Sequence, residues 1–219
     1  MNNKIIIAPS ILACDFGRIA DEVRQVEEAG ADWIHIDIMD GHFVPNLTMG
    51  PDIVTAVRKV TKLPLDIHLM IQHPESYAKR FVEAGGNLVT VHQEAEGLER
   101  TDSLRKMLES IRGWGARAGL SIRPKTASEA VSPFLSVTDL VLVMSVEPGF
   151  GGQAFIPEVV PKVRAIRERF GGDLSVDGGI NIQTGRVMRD AGANVLVAGS
   201  SVFRAPSYRE AIQSIRGAQ

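Results

Sequence analysis

Four residues in this chain offer ligand atoms in a combination that ordinary protein cores seldom need. They are His35 and Asp37 in the stretch WIHIDIMDGHFVPN, His68 in LDIHLMI and Asp177 in SVDGGIN. Two imidazole nitrogens and two carboxylate oxygens form a mixed donor set suited to one divalent ion, Zn2+, Fe2+, Mn2+ or Co2+. Ile34, Ile36 and Ile38 alternate with His35, Asp37 and Met39. Side chains on a strand alternate between two faces, so His35, Asp37 and Met39 share one, and both donors can address an ion between them. A His–Asp pair that only hydrogen-bonds is the plainer account of any one pair. Four such groups at the ends of three strands favour a metal.

Three glycine-rich stretches offer a second kind of chemistry: EPGFGGQAF, VDGGINI and VAGSSVF. Backbone amides bared by glycine, with a short helix beginning at Ser200–Ser201, suit an anion such as phosphate. Tight turns alone would account for any one of them. None contains a lysine, so amides would carry most of the binding. The PGFGGQ segment, which begins with Pro148 and has Pro157 beyond it, reads equally as a hinged lid or a rigid turn. Together the two sites fit a phosphorylated ketose whose carbonyl oxygen lies on the ion. Loss of a proton from the neighbouring carbon would then give a metal-stabilised enediolate. With one carboxylate removing that proton and the other returning one from the opposite face, the stereocentre inverts. The chemistry implied is epimerisation.

The elements that must position these groups alternate along the whole chain. Apolar runs predict strands at Ile5–Pro9, Trp33–Met39, Leu65–Met70, Leu88–His92, Arg117–Ile122, Leu140–Ser145, Leu174–Asp177 and Val195–Ala198. Helical spacing falls near Phe16–Ala29, Pro51–Val60, Glu75–Ala84, Asp102–Trp114, Ser128–Leu135, Pro157–Arg169, Ile182–Ala191 and Tyr208–Ile215. Several helices run into glycine, as in EEAGAD and RDAGAN, a stop signal before a strand. Strict alternation means parallel strands with right-handed crossovers, and eight units without a linker predict one closed (β/α)8 TIM barrel over residues 1–219. In such a barrel neither face of a strand meets bulk water, and reactive groups gather at the strand C-termini. Those ends present Ser10, His35 to Met39, His68 with Met70, His92, Met144 with Ser145, Asp177, and Gly199 with Ser200. Met39, Met70 and Met144 at one layer are either core filler or a hydrophobic collar around the reacting carbon. His42, His73 and His92 read as structural hydrogen-bonders, and the only cysteine, Cys14, as packing.

Composition narrows the class further. The 219 residues are 44% hydrophobic and 23% charged, as in a globular protein, and a formal net charge of −2 provides no basic field for nucleic acid or an anionic membrane. No apolar run approaches a membrane span, and a signal peptide is not evident at MNNKIIIAPS. A cytoplasmic protein is expected, with homo-oligomerisation left open.

The chain resembles the ribulose-phosphate 3-epimerase family from end to end. The resemblance rests on IAPSILACDF, HIDIMDGHFVPNLTMGP, LDIHLMI, SVEPGFGGQAFIPE, SVDGGIN and VAGSSVF. It implies a barrel that interconverts D-ribulose 5-phosphate and D-xylulose 5-phosphate, with a phosphorylated ketopentose as partner. It further implies Asp37 as proton acceptor and Asp177 as proton donor, His35, Asp37, His68 and Asp177 as metal ligands, and Ser10, His68 and Asp177 against substrate. The phosphate would lie on Gly149, Phe150, Gly151 and Gly152, on Gly178 and Gly179, and on Gly199 and Ser200. VHQEA and SIRPKTASEAV depart from the family's usual His-Leu-Glu-Ala and apolar-Asn-Pro stretches, outside the metal set. A sister 3-epimerase of ketohexose 6-phosphates, such as D-allulose 6-phosphate, would share every motif. A non-catalytic phosphosugar-binding barrel would need neither aspartate.

Overall fold

A computed structural model describes residues 4–217 of the protein, so the outermost residues of the expected 1–219 domain, 1–3 and 218–219, lie outside the described residues. The apolar runs become strands β1 (Ile6–Pro9), β2 (Ile34–Met39), β3 (Leu65–Met70), β4 (Leu88–His92), β5 (Arg117–Ile122), β6 (Leu140–Met144), β7 (Asp173–Asp177) and β8 (Val195–Ala198). They pair in parallel in the order β1-β8-β7-β6-β5-β4-β3-β2, which makes the (β/α)8 barrel expected from the alternation. The ring closes between β1 and β2 through one parallel bridge, Ser10 to His35. The amides of Asp32 and Trp33 add bonds of 3.0 and 3.4 Å to the Ile7 carbonyl.

The crossovers are α1 (Ile19–Glu28), α2 (Pro51–Arg58), α3 (Ala78–Glu83), α4 (Thr101–Gly113), α5 (Val160–Arg167), α6 (Ile182–Asp190), the short α7 (Ser200–Phe203) and α8 (Tyr208–Arg216). The helix expected at Ser128–Leu135 is instead a 3-10 run over Ser128–Val137. Pro133 lies inside it, and a proline ring removes one donor and clashes with the preceding turn of an α-helix. Short 3-10 turns likewise open the helical regions expected from Phe16, Glu75 and Pro157. The predicted glycine stop is seen after α6. Gly192 has φ +104°, and a Cβ there would lie 2.6 Å from Arg167 Cγ, so glycine is required. No helix among the described residues is long and apolar enough to cross a membrane.

Period two divides the side chains of each strand between two cores. Ile34, Ile36 and Ile38 on β2, Leu65, Ile67 and Leu69 on β3, and Val141 and Val143 on β6 pack outward under the helices. Inside the barrel, Leu140, Leu142 and Met144 on β6 pack with Val195 and Val197 on β8 and Ala8 on β1. The inward residues of β6, β8 and β1 are therefore apolar, with Ser175 and Asp177 of the intervening β7 as the polar exceptions. Across the barrel, His35 and Asp37 of β2 lie in register with Asp66 and His68 of β3, forming a polar wall.

A charged clasp holds the other side of the β1–β2 joint. Asp32 accepts from the Ile7 amide at 2.9 Å, from Arg216 of α8 at 2.6 Å and from Lys4 at 2.8 Å. Burial opposes the charge on Asp32, yet these three donors prevail and lower its pKa below the ordinary 3.8. A carboxyl whose pKa is lower in the folded state stabilises the fold above its unfolded pKa and loses that contribution as pH falls through the folded one. Asp32→Asn should cost about 1–3 kcal/mol of unfolding free energy near pH 7, the worth of a charge-assisted bond. The deficit relative to wild type should shrink as pH drops below about 4, measured by urea unfolding at several pH values. An equal deficit at pH 7 and pH 3 would place the stability elsewhere.

Candidate active site

β2 and β3 deliver most of the polar cluster, because inward residues two apart on one strand stack toward its C-terminal end. His35 Nδ1 lies 2.7 Å from Asp66 Oδ2, its register partner, which turns Nε2 toward the carboxylates. That Nε2 is 3.3 Å from Asp37 Oδ1 and 3.9 Å from Asp177 Oδ2. His68 Nδ1 is 3.0 Å from the same Asp37 oxygen and 3.7 Å from Asp177 Oδ2. Ser10, beyond the end of β1, donates its hydroxyl to Asp37 Oδ2 at 2.6 Å. His35 and His68 are fully buried behind the wall of the cleft.

One ligand atom from each of His35, Asp37, His68 and Asp177 lies within 4.8 Å of the other three. Two imidazoles and two carboxylates, buried and converging, leave two negative groups that demand a positive one in the same small volume. The donor set fits a divalent ion without rearrangement of the strands. Without such an ion the demand falls on His35: burial resists its protonation, but Asp37 and Asp66 raise its pKa well above the ordinary imidazole value.

The two carboxyls differ in acidity. Burial raises Asp37, but His35 and His68 outweigh it and hold its pKa below the usual carboxylate range. Burial, with Asp37 nearby, pushes Asp177 up to about 6. Asp37 is thus the stronger acid of the pair and Asp177 the weaker.

A cleft of about 480 Å³ opens onto Asp37 and Asp177. Ser10 lines it, as do Met39, Met70 and Met144. The far side is built from Gly149, Phe150, Gly151 and Gly152, from Gly178 and Gly179, and from Gly199 and Ser200. Gly178 has φ +118°, and a Cβ there would meet Val146 Cγ2 at 2.4 Å and its backbone nitrogen at 2.8 Å. This turn requires glycine whatever it binds. The loop after β6 is braced: Asn46 donates to the Gly149 carbonyl at 2.7 Å, and Gln153 donates to the carbonyls of Glu147 and Phe150.

Three groups in or behind the cleft were absent from the sequence reading. Asp66 is one, although it alternates with His68 in LDIHLM and shares its face. Glu94 is another: His68 Nε2 lies 2.9 Å from His92 Nε2, and His92 Nδ1 lies 3.1 Å from Glu94 Oε2. Burial, with His68 and Arg123 nearby, lowers His92 to about 4 against the pull of Glu94. Glu94, also burdened by burial, is held down to about 2 by His92, the Arg123 amide and Thr126. Arg204 is the third; it follows α7 and lines the cleft with Ser200 and Ser201, adding a cation where amides were expected to carry most of the binding. His42 bonds within its own turn and His73 lies 3.5 Å from Glu75, both away from the cluster. Cys14 is pushed up to about 12 by burial, Glu22 and Asp15, which suits packing and not nucleophilic chemistry.

Comparison with known proteins adds kinship to this geometry. In solved structures the same barrel recurs in a 3-hexulose-6-phosphate synthase (TM-score 0.67, 20% identity, 98% of each chain). It recurs also in KGPDC from Streptococcus mutans (TM-score 0.71, 15% identity, 98% of this chain and 96% of that one). At that identity the likeness is one of fold. In sequence, the chain is 48% identical to the ribulose-phosphate 3-epimerase of Synechocystis sp. over all of this chain and 96% of the relative. It is 46% identical to that of Bacillus subtilis over 98% and 100%. The chloroplastic ribulose-5-phosphate-3-epimerase of Arabidopsis thaliana matches at 45% over 98% of this chain and 77% of its own. The model of the Ribulose-phosphate 3 epimerase family matches residues 6–203, from β1 to the end of α7, and so takes in every strand that carries the cluster. The chain belongs to the ribulose-phosphate 3-epimerase family.

Proposed function

We propose that the protein is a metal-dependent isomerase, one catalytic barrel that reversibly converts D-ribulose 5-phosphate into D-xylulose 5-phosphate by inverting C3. The observation that carries this reading is the pair Asp37 and Asp177 meeting at one buried donor set on the cleft. A single base returns a proton to the face it came from, whereas two carboxyls on opposite faces invert the centre. Asp37, ionised and oriented by the Ser10 hydroxyl, takes the C3 proton of ribulose 5-phosphate. Asp177, protonated, delivers one to the other face. His35, Asp37, His68 and Asp177 would hold the divalent ion, whose Lewis acidity offsets the negative charge that grows on the ketone oxygen. Met39, Met70 and Met144 keep water from the carbon while it lacks its proton. The phosphate rests against the glycine turns at 149–152, 178–179 and 199–200.

The direct test is turnover of ribulose 5-phosphate by protein loaded in turn with Mn2+, Co2+, Zn2+ or Fe2+, compared with D-allulose 6-phosphate. Turnover of neither sugar with any ion would reject the reading, and preference for the hexose phosphate would assign the sister reaction. Arg204 supplies a narrower check. An exposed guanidinium at the cleft attracts a dianion mainly through the field, a contribution that salt screens. Arg204→Gln should raise KM about 3- to 10-fold, equivalent to about 0.7–1.4 kcal/mol, and leave kcat close to wild type. The ratio should narrow at 0.5 M salt. An unchanged KM at low salt would move the phosphate away from this rim.

A further inference from the structure

Behind His68 runs a chain of hydrogen bonds that the reaction above does not use. A carboxylate accepts and has no hydrogen to give, so the 3.1 Å contact with Glu94 places the hydrogen of the His92 ring on Nδ1. His92 Nε2 then offers a lone pair, and the 2.9 Å contact between the two Nε2 atoms can form only if His68 carries its hydrogen on Nε2. With an ion at the donor set, His68 keeps a lone pair on Nδ1, the atom that faces Asp37 and Asp177; without it, the 3.0 Å contact with Asp37 would call for a hydrogen on Nδ1 as well. We propose that Glu94 is a positioning residue which, through His92, fixes the tautomer of His68 so that Nδ1 is presented to the divalent ion. The inference rests on the metal reading of the site.

Glu94 is itself locked in orientation. Its Oε1 accepts from the Arg123 amide at 2.9 Å and from the Thr126 hydroxyl, and only Oε2 faces His92. A glutamine at 94 must therefore keep its carbonyl oxygen toward those two donors and turn its NH2 toward His92 Nδ1. The polarity of the whole relay would reverse: His92 would carry its hydrogen on Nε2, donate to His68 Nε2, and leave the hydrogen of His68 on Nδ1, where the ion should be. Glu94→Gln thus changes almost no shape and inverts every bond. His35 has a shorter version of the same device in Asp66, 2.7 Å from its Nδ1.

The test uses Zn2+ and the full-length protein labelled with 15N-histidine. Zn2+ affinity is measured by chelator competition, and ring-nitrogen shifts of the Zn2+-loaded protein report the tautomers. Wild type should show His68 bound through Nδ1 and His92 with its hydrogen on Nδ1. Glu94→Gln should bind Zn2+ about 10- to 100-fold more weakly, the usual effect of losing such an orienting partner, and should move the hydrogen of His92 to Nε2. His92→Phe keeps an aromatic ring beside Phe43 and His68 but removes the acceptor, and should weaken Zn2+ binding to a similar degree. It carries the test should Glu94→Gln not fold. A wild type with no Zn2+ on His68 would overturn the metal reading and this inference with it. Wild type bound through His68 Nδ1, with variants that bind as tightly and an unmoved His92 hydrogen in Glu94→Gln, would overturn the relay alone.

Discussion

Proton exchange without inversion is the expected behaviour of Asp177→Asn. Asp177 ends β7 and Asp37 lies on β2, and they reach the same cleft from different sides of the ring. Under the two-base reading each addresses one face of C3. Asparagine keeps the size of Asp177 and one oxygen that can still face the ion, but it neither gives nor takes the proton. Asp37 should then go on removing the C3 proton of ribulose 5-phosphate and returning one to the same face. In D2O, ribulose 5-phosphate should take up deuterium at C3 while xylulose 5-phosphate hardly forms. Loss of a general acid or base lowers turnover typically by about 10²- to 10⁴-fold, and conversion should fall at least that far. Asp37→Asn should give the mirror result, with exchange confined to xylulose 5-phosphate. Metal content must match wild type in both variants, since each aspartate belongs to the donor set. If metal-replete Asp177→Asn interconverted both sugars at near the wild-type rate, the two-base mechanism would be wrong.

The second large effect concerns His68. Its Nδ1 lies within 4 Å of both carboxylates, and among the described residues no further His, Cys, Asp or Glu belongs to the group of four. His68→Ala should lose bound metal and turnover together, and chelation of the wild type should abolish activity that Mn2+, Co2+ or Zn2+ then restores to different extents. A readout free of turnover accompanies this. An ion that binds only the folded state stabilises it by about 4 kcal/mol at a thousandfold excess over its Kd. Added Mn2+ should therefore raise the melting temperature of wild type and leave that of His68→Ala almost unmoved. Full turnover by protein shown by elemental analysis to be metal-free would remove the ion from the mechanism.

Most of the scaffold was legible because burial on both faces writes parallel strands as continuous apolar runs. VLVM on β6 and VLVA on β8 are plain examples. The four candidate ligands were legible for the opposite reason: a polar side chain inside such a run is conspicuous. Asp66 was equally conspicuous, but its partner His35 lies on another strand, and only the register of β2 with β3 joins them. Glu94 lies beyond the end of β4, where a carboxylate ordinarily meets water, so nothing in VHQEA marks it as a neighbour of the site. Arg204 comes five residues after the glycine of its motif, and only the turn of α7 brings it back over the cleft. The crossover at Ser128–Val137 was misread because its apolar spacing suits an α-helix, while the backbone consequence of Pro133 is local.

The thin joint between β1 and β2 bears on how the chain folds. Strands near in sequence meet there through a single bridge, the bond from Ser10 to Asp37 and the bonds of Asp32 and Trp33 to Ile7, whereas the first and last strands share a ladder of four register pairs. Chain entropy opposes contact most between distant segments, yet it is the meeting of the first and last strands that carries a full ladder and the local joint that does not. In an open sheet of these strands, β7 would stand five spacings from β2, about 24 Å away. Only the closed cylinder brings Asp177 within 4 Å of His35 and His68. The reactive cluster therefore cannot exist in a half-assembled chain, and an ion seated in it would latch the cylinder shut.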